Sequence, residues 1–197
     1  MIVTLPHAPR GRPRDSRAHQ AILTATAELL AEVGYAATSI GAVAALAGVG
    51  KDTIYRRWSG KAELVYEAVF TRAEAAPVPD TGSLTGDLTS LLDALIQEFT
   101  ASAAAAALPG LLADFAADPD LQSRIRSRFL APAKAGLVEL FARAVQRGEA
   151  DPGVPVDLVL DTLAGAVFFH VGLVGEPAGP QLATQLAAIV GQGIEAR

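Results

Sequence analysis

The feature that most constrains the fold is a pair of short apolar patterns on either side of a glycine. Thr38 or Ser39 can cap the first pattern, because either side chain can accept a hydrogen bond from a backbone N–H of the first turn. Its inner positions are apolar at helical spacing: Ile40, Val43 and Leu46. Gly48 breaks this helix, and a second short helix is predicted from about residue 50 to 57. Two short helices joined by a three-residue turn with glycine predict a helix-turn-helix unit.

Longer helices are predicted on both sides of this unit. The preceding helix begins near Ser16 and ends at Gly34, with one apolar face made of Ile22, Ala25, Thr26, Leu29, Leu30 and Val33. The following helix is expected to be capped by Ser59, with its buried side made of Leu64, Val65, Ala68 and Val69. Together they would close a small core around the two short helices.

The rest of the chain also has helical periodicity. Residues 77–83 form a linker, and a strong apolar stripe then runs from Leu84 to Phe99 and into an alanine tract at 103–107. Pro109 is expected to interrupt the helix there. Asp118 and Pro119 predict a cap followed by a proline in the first turn, opening a long helix that Pro132 would kink.

Two further helices are predicted near the end of the chain, over residues 157–174 and from about residue 182. The sequence therefore predicts an all-α fold of about nine helices. Strand patterns are nearly absent, and hydrophobic residues make up 51% of the chain with only 6% aromatic residues. Ala, Leu and Val must then form most of the core, which suits closely packed helices.

Charge is distributed unevenly along the chain. The net charge is −5, but the segment up to Lys61 has eight basic and four acidic residues and so carries +4, which leaves −9 for the remainder. A basic N-terminal segment followed by an acidic remainder is typical of a nucleic-acid-binding domain attached to a domain that does not contact nucleic acid. Residues 1–14, with three prolines and three arginines, predict a disordered basic arm, either a floppy terminus or a segment that follows DNA phosphates.

Several function classes lack their sequence signals. The chain has no cysteine, and its three histidines are far apart in sequence, so neither a disulfide scaffold nor a metal site is expected. Nucleophile-elbow, phosphate-loop and zinc-protease motifs are missing, so we expect no enzyme and no cofactor. The start lacks a secretory pattern, which favours the cytoplasm. Residues 157–174 are long enough for a membrane span, but Asp161 and His170 favour a buried helix and no membrane partner.

Residues 22–64 resemble the DNA-binding domain of the tetracycline-repressor (TetR) family. The resemblance is carried by Ile22-Leu23, Ala27 to Leu30, Glu32-Val33-Gly34-Tyr35, Thr38-Ser39, Ala47-Gly48-Val49, Thr53-Ile54-Tyr55-Arg56, Lys61 and Leu64. It implies three N-terminal helices for DNA, followed by a helical ligand-binding domain whose last two helices form a four-helix bundle in a homodimer. The domains expected on this basis are residues 15–61 for DNA and 62–197 for effector binding and dimerisation.

The resemblance also implies which residues contact DNA. The second short helix would lie in the major groove, with Lys51, Thr53, Tyr55 and Arg56 toward bases and phosphates. Lys61 matches the family's phosphate-contacting lysine. The DNA-binding set predicted here is Thr38, Lys51, Thr53, Tyr55, Arg56 and Lys61. Trp58 is expected to pack in the core rather than at DNA.

An effector pocket is expected among the helices after the linker. Such pockets are mostly apolar with a few polar groups. The candidate lining residues are Phe99, Leu112, Phe115, Phe129, Phe168 and His170, and their alternative role is simple core packing. An apolar lining suits a small hydrophobic or aromatic effector.

The function predicted from the sequence is a sequence-specific DNA-binding transcriptional regulator, a repressor released from a palindromic operator by a small-molecule effector. Two alternatives stay open at this point. One is a helical protein-interaction bundle that does not bind DNA. The other, within the same class, is an activator.

Overall fold

The computed structural model describes residues 12–71 and 77–194, and their side chains from 16 to 71 and from 77 to 193. In this part of the chain every regular element is a helix, which confirms the all-α prediction. The helices are α1 Arg12–Ala37, α2 Ile40–Leu46, α3 Lys51–Tyr55, α4 Lys61–Phe70, α5 Leu84–Thr100, α6 Ser102–Ala117, α7 Pro119–Ile125, α8 Ala131–Gln146, α9 Val156–Val167 and α10 Leu182–Ile194. A π-helical segment, Arg126–Leu130, joins α7 and α8 into one continuous helix. With these two counted as one, the described residues form nine helices, as predicted.

The predicted arm, residues 1–14, lies outside the described residues except for its last three, which belong to α1. The prediction that these three lie outside the helix was wrong. Proline is tolerated in a first helical turn, where its missing N–H has no partner to lose, so Pro13 does not prevent the earlier start. At the other end of α1, Gly34 has φ +77°, and one further turn follows it.

The helix-turn-helix forms as predicted. Ser39 caps α2 by accepting a hydrogen bond from the Ala42 N–H at 3.1 Å, and Gly48 occupies the left-handed region with φ +66°. Gly50 caps α3 without a side-chain hydrogen bond. A small core fixes these helices against α1 and α4, and its buried members are Ile22, Ala25, Val43, Ala44, Ile54, Trp58 and Leu64.

Helix α4 belongs to two cores, because its residues face both the helix-turn-helix and the effector domain. Leu64 joins the N-terminal core, whereas Val65, Val69 and Phe70 pack in a second cluster with α6 and α7. The cap predicted at Ser59 is wrong: Gly60 is the N-cap, and the Ser59 N–H and O–H donate to the Glu63 carboxylate at 2.9 and 2.7 Å.

Helix α6 runs unbroken through Pro109, so the predicted interruption there is wrong. An internal proline removes one helical hydrogen bond and costs about 3 kcal/mol. Burial offsets this cost, because Leu108 and Leu111 on either side pack in the second cluster. Tertiary packing thus overrides the local signal.

The Asp118 cap is confirmed: its carboxylate accepts a hydrogen bond from the Leu121 N–H at 2.9 Å. The kink predicted at Pro132 takes another form. The helix changes to π-helical hydrogen bonding over Arg126–Leu130, directly before the proline that removes a donor. This segment connects α7 to α8.

Helix α9, continued by a π-helical turn Phe168–Leu173, packs one side into a third cluster with α5, α8 and α10. The burial predicted for this helix holds for one side only within a single protomer. Its outer side and that of its neighbours leave large apolar residues exposed: Leu158, Phe169, Leu173, Val174 and Ile189. By length and composition alone Val156–Leu173 could cross a membrane, but Val159, Leu163 and Val167 already lie in the core.

Candidate DNA interface and effector cavity

Helix α3 presents a polar face to solvent. Ile54 and, just beyond the helix, Trp58 are buried and anchor it, as expected for Trp58. Lys51, Tyr55 and Arg56 are exposed on the other side. Tyr55 is 55% exposed, a high value for an aromatic residue, and it is not a member of the N-terminal core. An exposed tyrosine near the cations Lys51 and Arg56 is typical of a surface that contacts nucleic acid, because all three side chains can donate hydrogen bonds to phosphates.

Lys51 lies along the first turn of α2. A β-carbon built on Gly41 would be 3.2 Å from Cε and 3.5 Å from Nζ of Lys51, so the absence of a side chain at Gly41 leaves room for the lysine. The ammonium therefore lies beside the N-terminal end of α2, whose first turn includes the Ala42 N–H that Ser39 caps. This arrangement aims positive charge from both helices at one surface.

The remaining α3 residues organise their own neighbours. Thr53 is half-buried; its hydroxyl lies 3.4 Å from an Arg56 guanidinium nitrogen, and its carbonyl accepts a hydrogen bond from Arg57 at 2.7 Å. The polar atoms of Thr53 thus hold the two arginines near the end of the helix.

Two of the predicted phosphate contacts make hydrogen bonds within the DNA-binding domain. Thr38 is 2% exposed, and its hydroxyl donates a hydrogen bond to the Gly34 carbonyl at 2.8 Å. The hydroxyl therefore stabilises the turn between α1 and α2. The Lys61 ammonium donates to the Tyr35 carbonyl at 3.1 Å and lies 4.0 Å from the centre of the Tyr35 ring. Ser39, the cap of α2, has an exposed hydroxyl and was not among the predicted DNA contacts.

A cavity of about 490 Å³ lies in the effector domain between α4, α5, α6, α8 and α9. Four of the six predicted pocket residues line it: Phe99, Leu112, Phe115 and Phe168. Phe129 is buried beside it and packs on Tyr66, with ring centres 5.2 Å apart. His170 is half-buried on the π-helical turn after α9 and does not line the cavity. It lies two residues after the lining residue Phe168, a spacing that places the two side chains on opposite sides of a helix.

Other lining residues were missed by the sequence reading. Aromatic Tyr66 and Phe70 come from α4 and were not part of its predicted buried side, and aliphatic Leu91 and Leu95 come from the apolar stripe of α5. The polar members include Glu98, Lys134 and Asp161. Among these residues only Leu91 and Leu95 had a sequence signal, the apolar stripe of α5. Charged residues on a helix usually face solvent, so the three polar residues were not expected to line a cavity.

The polar groups of the cavity lie mostly at one side. The Lys134 ammonium is 3.3 Å from an Asp161 carboxylate oxygen and 3.6 Å from one of Asp157. Both aspartates are well exposed, so this ion pair lies toward the solvent side of the cavity. The aromatic rings Phe70, Phe99 and Phe168 form a chain of tilted contacts at the other side, with centres 5.2 and 6.2 Å apart. The cavity therefore combines an apolar aromatic wall with a charged mouth.

The DNA-binding helices are fastened to the cavity wall through Tyr35. Its phenol donates a hydrogen bond to the Asp114 carboxylate of α6. Burial, together with this hydrogen bond and the negative charge of Asp114, raises the pKa of Tyr35 well above its usual range, so the phenol stays protonated. Helix α6 also supplies Leu108, Leu111 and Phe115 to the cavity.

Three features are characteristic of one class of protein: the N-terminal helices α1–α3 (the reading head) with exposed side chains on α3, a helical effector domain, and a largely apolar cavity within that domain. They define a one-component, helix-turn-helix transcriptional regulator. Residues 22–68 match the family model described as bacterial regulatory proteins, tetR family, and residues 78–190 match the tetracyclin repressor-like C-terminal domain. The chain belongs to the TetR family of transcriptional regulators, and binds DNA in that capacity. The alternative of an interaction bundle without DNA binding is not favoured.

Individual relatives agree with this assignment. The chain is 30% identical over 188 residues to the HTH-type transcriptional regulator YdeS of Bacillus subtilis, covering 95% of this chain and 94% of that protein. It is 35% identical over 170 residues to the DNA-binding transcriptional repressor TetR of Mycobacteroides abscessus, covering 85% and 86%. Among solved structures, the TetR family regulator SCO0332 superposes with a TM-score of 0.73 at 28% identity, covering 90% of this chain and 98% of that one.

Proposed function

We propose that this protein is a homodimeric repressor that leaves a palindromic operator when a small hydrophobic or aromatic molecule fills its cavity. One observation carries the proposal: the structure has both an exposed polar face on α3 and an apolar cavity whose wall includes α4 and α6. These two helices contact both the reading head and the cavity wall, so ligand binding can favour one orientation of the head over another. The protein would act where the DNA is, in the cytoplasm.

The proposed domains are 15–61 for DNA and 62–197 for effector and dimer contacts. Lys51, Thr53, Tyr55 and Arg56 are the proposed DNA contacts, with Ser39 added at the start of α2. Lys61 is proposed to fasten α4 to the end of α1. A relative that carries the word repressor in its name supports repression over activation.

The dimer is proposed from the exposed apolar side of α9 and its neighbours. Isolated apolar residues on a surface are ordinary, but a contiguous patch marks an interface. Leu158 and Phe169 are each about 60% exposed, and Ile189 of α10 is 69% exposed. Both helices belong to the family's C-terminal match, which ends at residue 190. A second copy of the chain is the partner proposed for this side, because a two-fold dimer presents two reading heads to two half-sites.

The test is selection of duplexes from a random library by the full-length protein, followed by affinity measurement. A dimeric reading head selects an inverted repeat whose half-site centres are about 34–36 Å apart or a multiple of this. Lys51→Ala is expected to weaken binding, whereas Arg126→Ala, which removes the same charge from the effector domain, is not. Failure of the wild-type protein to enrich any sequence would overturn the proposal.

A further inference from the structure

We propose that Arg128, a residue of the effector domain, positions the recognition helix for DNA binding and transmits the state of the cavity to it. The inference rests on the proposed function. Arg128 lies on the π-helical segment Arg126–Leu130 between α7 and α8. Nothing in the sequence singles it out, because an exposed arginine on a helix is solvated by default.

Arg128 reaches across the domain boundary to the end of α3. Its Nη1 donates to the Arg57 carbonyl at 2.7 Å and to Oε1 of Glu63 at 2.6 Å. Its Nη2 donates to Oε2 of Glu67 at 3.0 Å. Arg57 lies two residues beyond the last residue of α3, where carbonyl groups lack helical partners and a positive charge is favourable. One guanidinium therefore binds the backbone at the end of the recognition helix and two carboxylates of α4.

The two carboxylates hold the turn between α3 and α4. Glu63 accepts the N–H and O–H of Ser59, and Oε2 of Glu67 accepts the indole N–H of Trp58 at 2.6 Å. The other oxygen of Glu67 lies 3.1 Å from Nε2 of His19, whose ring stacks on Trp58 with centres 5.3 Å apart. The Glu63 side chain is 5% exposed, and a carboxylate so placed needs a cationic partner. Arg128 supplies the closest one.

The recognition helix depends on such end contacts because its own local stabilisation is small. α3 has five residues, and its cap Gly50 provides no side-chain hydrogen bond. Helices this short are not stable through their own hydrogen bonds. The direction of α3 is therefore set by Ile54 and Trp58 in the core and by the Arg128 contacts at its C-terminal end.

The same segment borders the cavity. Leu130, at its last position, lines the cavity together with Pro132 and Ala133. Phe129 packs on the cavity residue Tyr66, and the Arg128 guanidinium lies 5.1 Å from the Phe129 ring centre. A π-helical turn differs from an α-helical one by one residue in hydrogen-bond register. A change to α-helical bonding would therefore move the segment by a discrete step, and this is the second arrangement that the proposal requires. A ligand that displaces Leu130 would shift Arg128 and with it the Arg57 carbonyl.

The anchor is tested with Arg128→Ala, Arg128→Lys and the control Arg126→Ala. Arg126 is exposed on the same π-helical turn, and within the described part of the chain its side chain makes no hydrogen bond or ion pair. Three quantities are measured on the full-length protein: the affinity for its selected duplex, the affinity for an unrelated duplex, and the emission of Trp58. Trp58 is the chain's single tryptophan and is 1% exposed, so its emission reports on the α3–α4 turn alone.

Arg128→Ala is expected to weaken the selected complex about tenfold or more, since hydrogen bonds to charged groups are lost. The unrelated duplex loses less, the Trp58 emission moves to longer wavelength, and Arg128→Lys restores part of both. Arg126→Ala stays within about twofold of wild type. An Arg128→Ala protein with wild-type Trp58 emission, or one that loses both duplexes equally, overturns the anchor. If Arg128→Ala does not fold, Arg128→Gln, judged by its melting temperature, replaces it under the same criteria.

The transmission step is tested by filling the cavity beside the segment with Ala133→Phe. In the wild-type background this substitution is expected to weaken the selected complex and shift the Trp58 emission. In the Arg128→Ala background it should add nothing, so the two effects are non-additive. Additive effects, or no effect of Ala133→Phe, overturn the transmission step. Should the wild type select no duplex, the proposed function fails, while the Trp58 emission still decides whether Arg128 holds the turn.

Discussion

A β-carbon built on Gly110 would overlap the ring of Tyr35, so α6 and the end of α1 approach more closely than any other residue at position 110 allows. The contact is reinforced by the hydrogen bond from Tyr35 to Asp114, one turn further along α6. The reading head and the cavity wall therefore meet at Gly110, the residue after the proline that was predicted to interrupt α6. A change in the position of α6 is passed directly to α1.

Gly110→Ala is expected to destabilise the protein by about 1–3 kcal/mol, because the new methyl group overpacks against the Tyr35 ring. The free energy of unfolding in urea measures the effect. The control is the same substitution in a Tyr35→Leu background, where the ring is absent and alanine's helix propensity should make the change neutral or favourable. Equal losses in both backgrounds would show that the ring is not the obstacle.

Acid should weaken the α3–α4 turn through Glu63. Burial alone would raise the pKa of this carboxyl, but hydrogen bonds from Ser59 and Arg128, with the charge of Arg128, lower it below its ordinary value. A lowered folded-state pKa contributes stability that is present above the unfolded-state value of about 4.3 and is lost as the pH falls through the folded-state pKa.

We therefore expect the unfolding free energy of the wild type to fall more steeply than that of Glu63→Gln as the pH is lowered from about 6 to 3. The comparison removes the contribution of the other carboxyl groups, which both proteins share. Parallel curves for the two proteins would contradict the role given to Glu63.

The exposed apolar side of α9 predicts a dimer interface. A single charged residue introduced there should dissociate the dimer. Phe169→Glu places a carboxylate in the proposed interface, and burying an unpaired charge is costly. Sedimentation should show a dimer for the wild type and a monomer for Phe169→Glu at the same concentration. Val138→Glu is the matched control, because Val138 is 53% exposed on α8. A monomeric wild type, or dissociation by both variants alike, would be inconsistent with this interface.

The cavity should bind an aromatic probe. 1-Anilinonaphthalene-8-sulfonate is expected to bind the wild type, and Ala164→Phe, which fills the lining, should lower its affinity about tenfold or more. Ala105→Phe adds the same ring to the exposed side of α6 and should change little. Unchanged dye binding by Ala164→Phe would mean that the dye binds elsewhere.

Local sequence signals predicted most of the fold. Caps at Ser39 and Asp118 and the turn at Gly48 are satisfied by neighbours within a few residues, so composition and spacing reveal them. Pro109 was misread because the packing that offsets its cost comes from α1 and α7, which are distant in sequence. The same applies to Thr38, whose hydroxyl is used internally.

The site was predictable only in part. Exposure of Lys51, Tyr55 and Arg56 follows from the helical spacing of Ile54 and Trp58, which must face inward. The cavity depends on how α4, α5, α6, α8 and α9 are arranged in space, so Phe129 and His170 were assigned to it wrongly while Tyr66 and Phe70 were missed. Arg128 could not be predicted, because its partners lie 61 to 71 residues away in the chain.

The most direct test of the account is the salt dependence of DNA binding by wild type and Lys51→Ala. Affinity for the selected duplex is measured between about 50 and 200 mM salt, where proteins with several phosphate contacts lose orders of magnitude. The account predicts a steep slope for the wild type, and for Lys51→Ala a weaker complex whose slope is smaller by about one. Equal affinity for selected and unrelated duplexes, with Lys51→Ala indistinguishable from wild type, would contradict DNA recognition by α3.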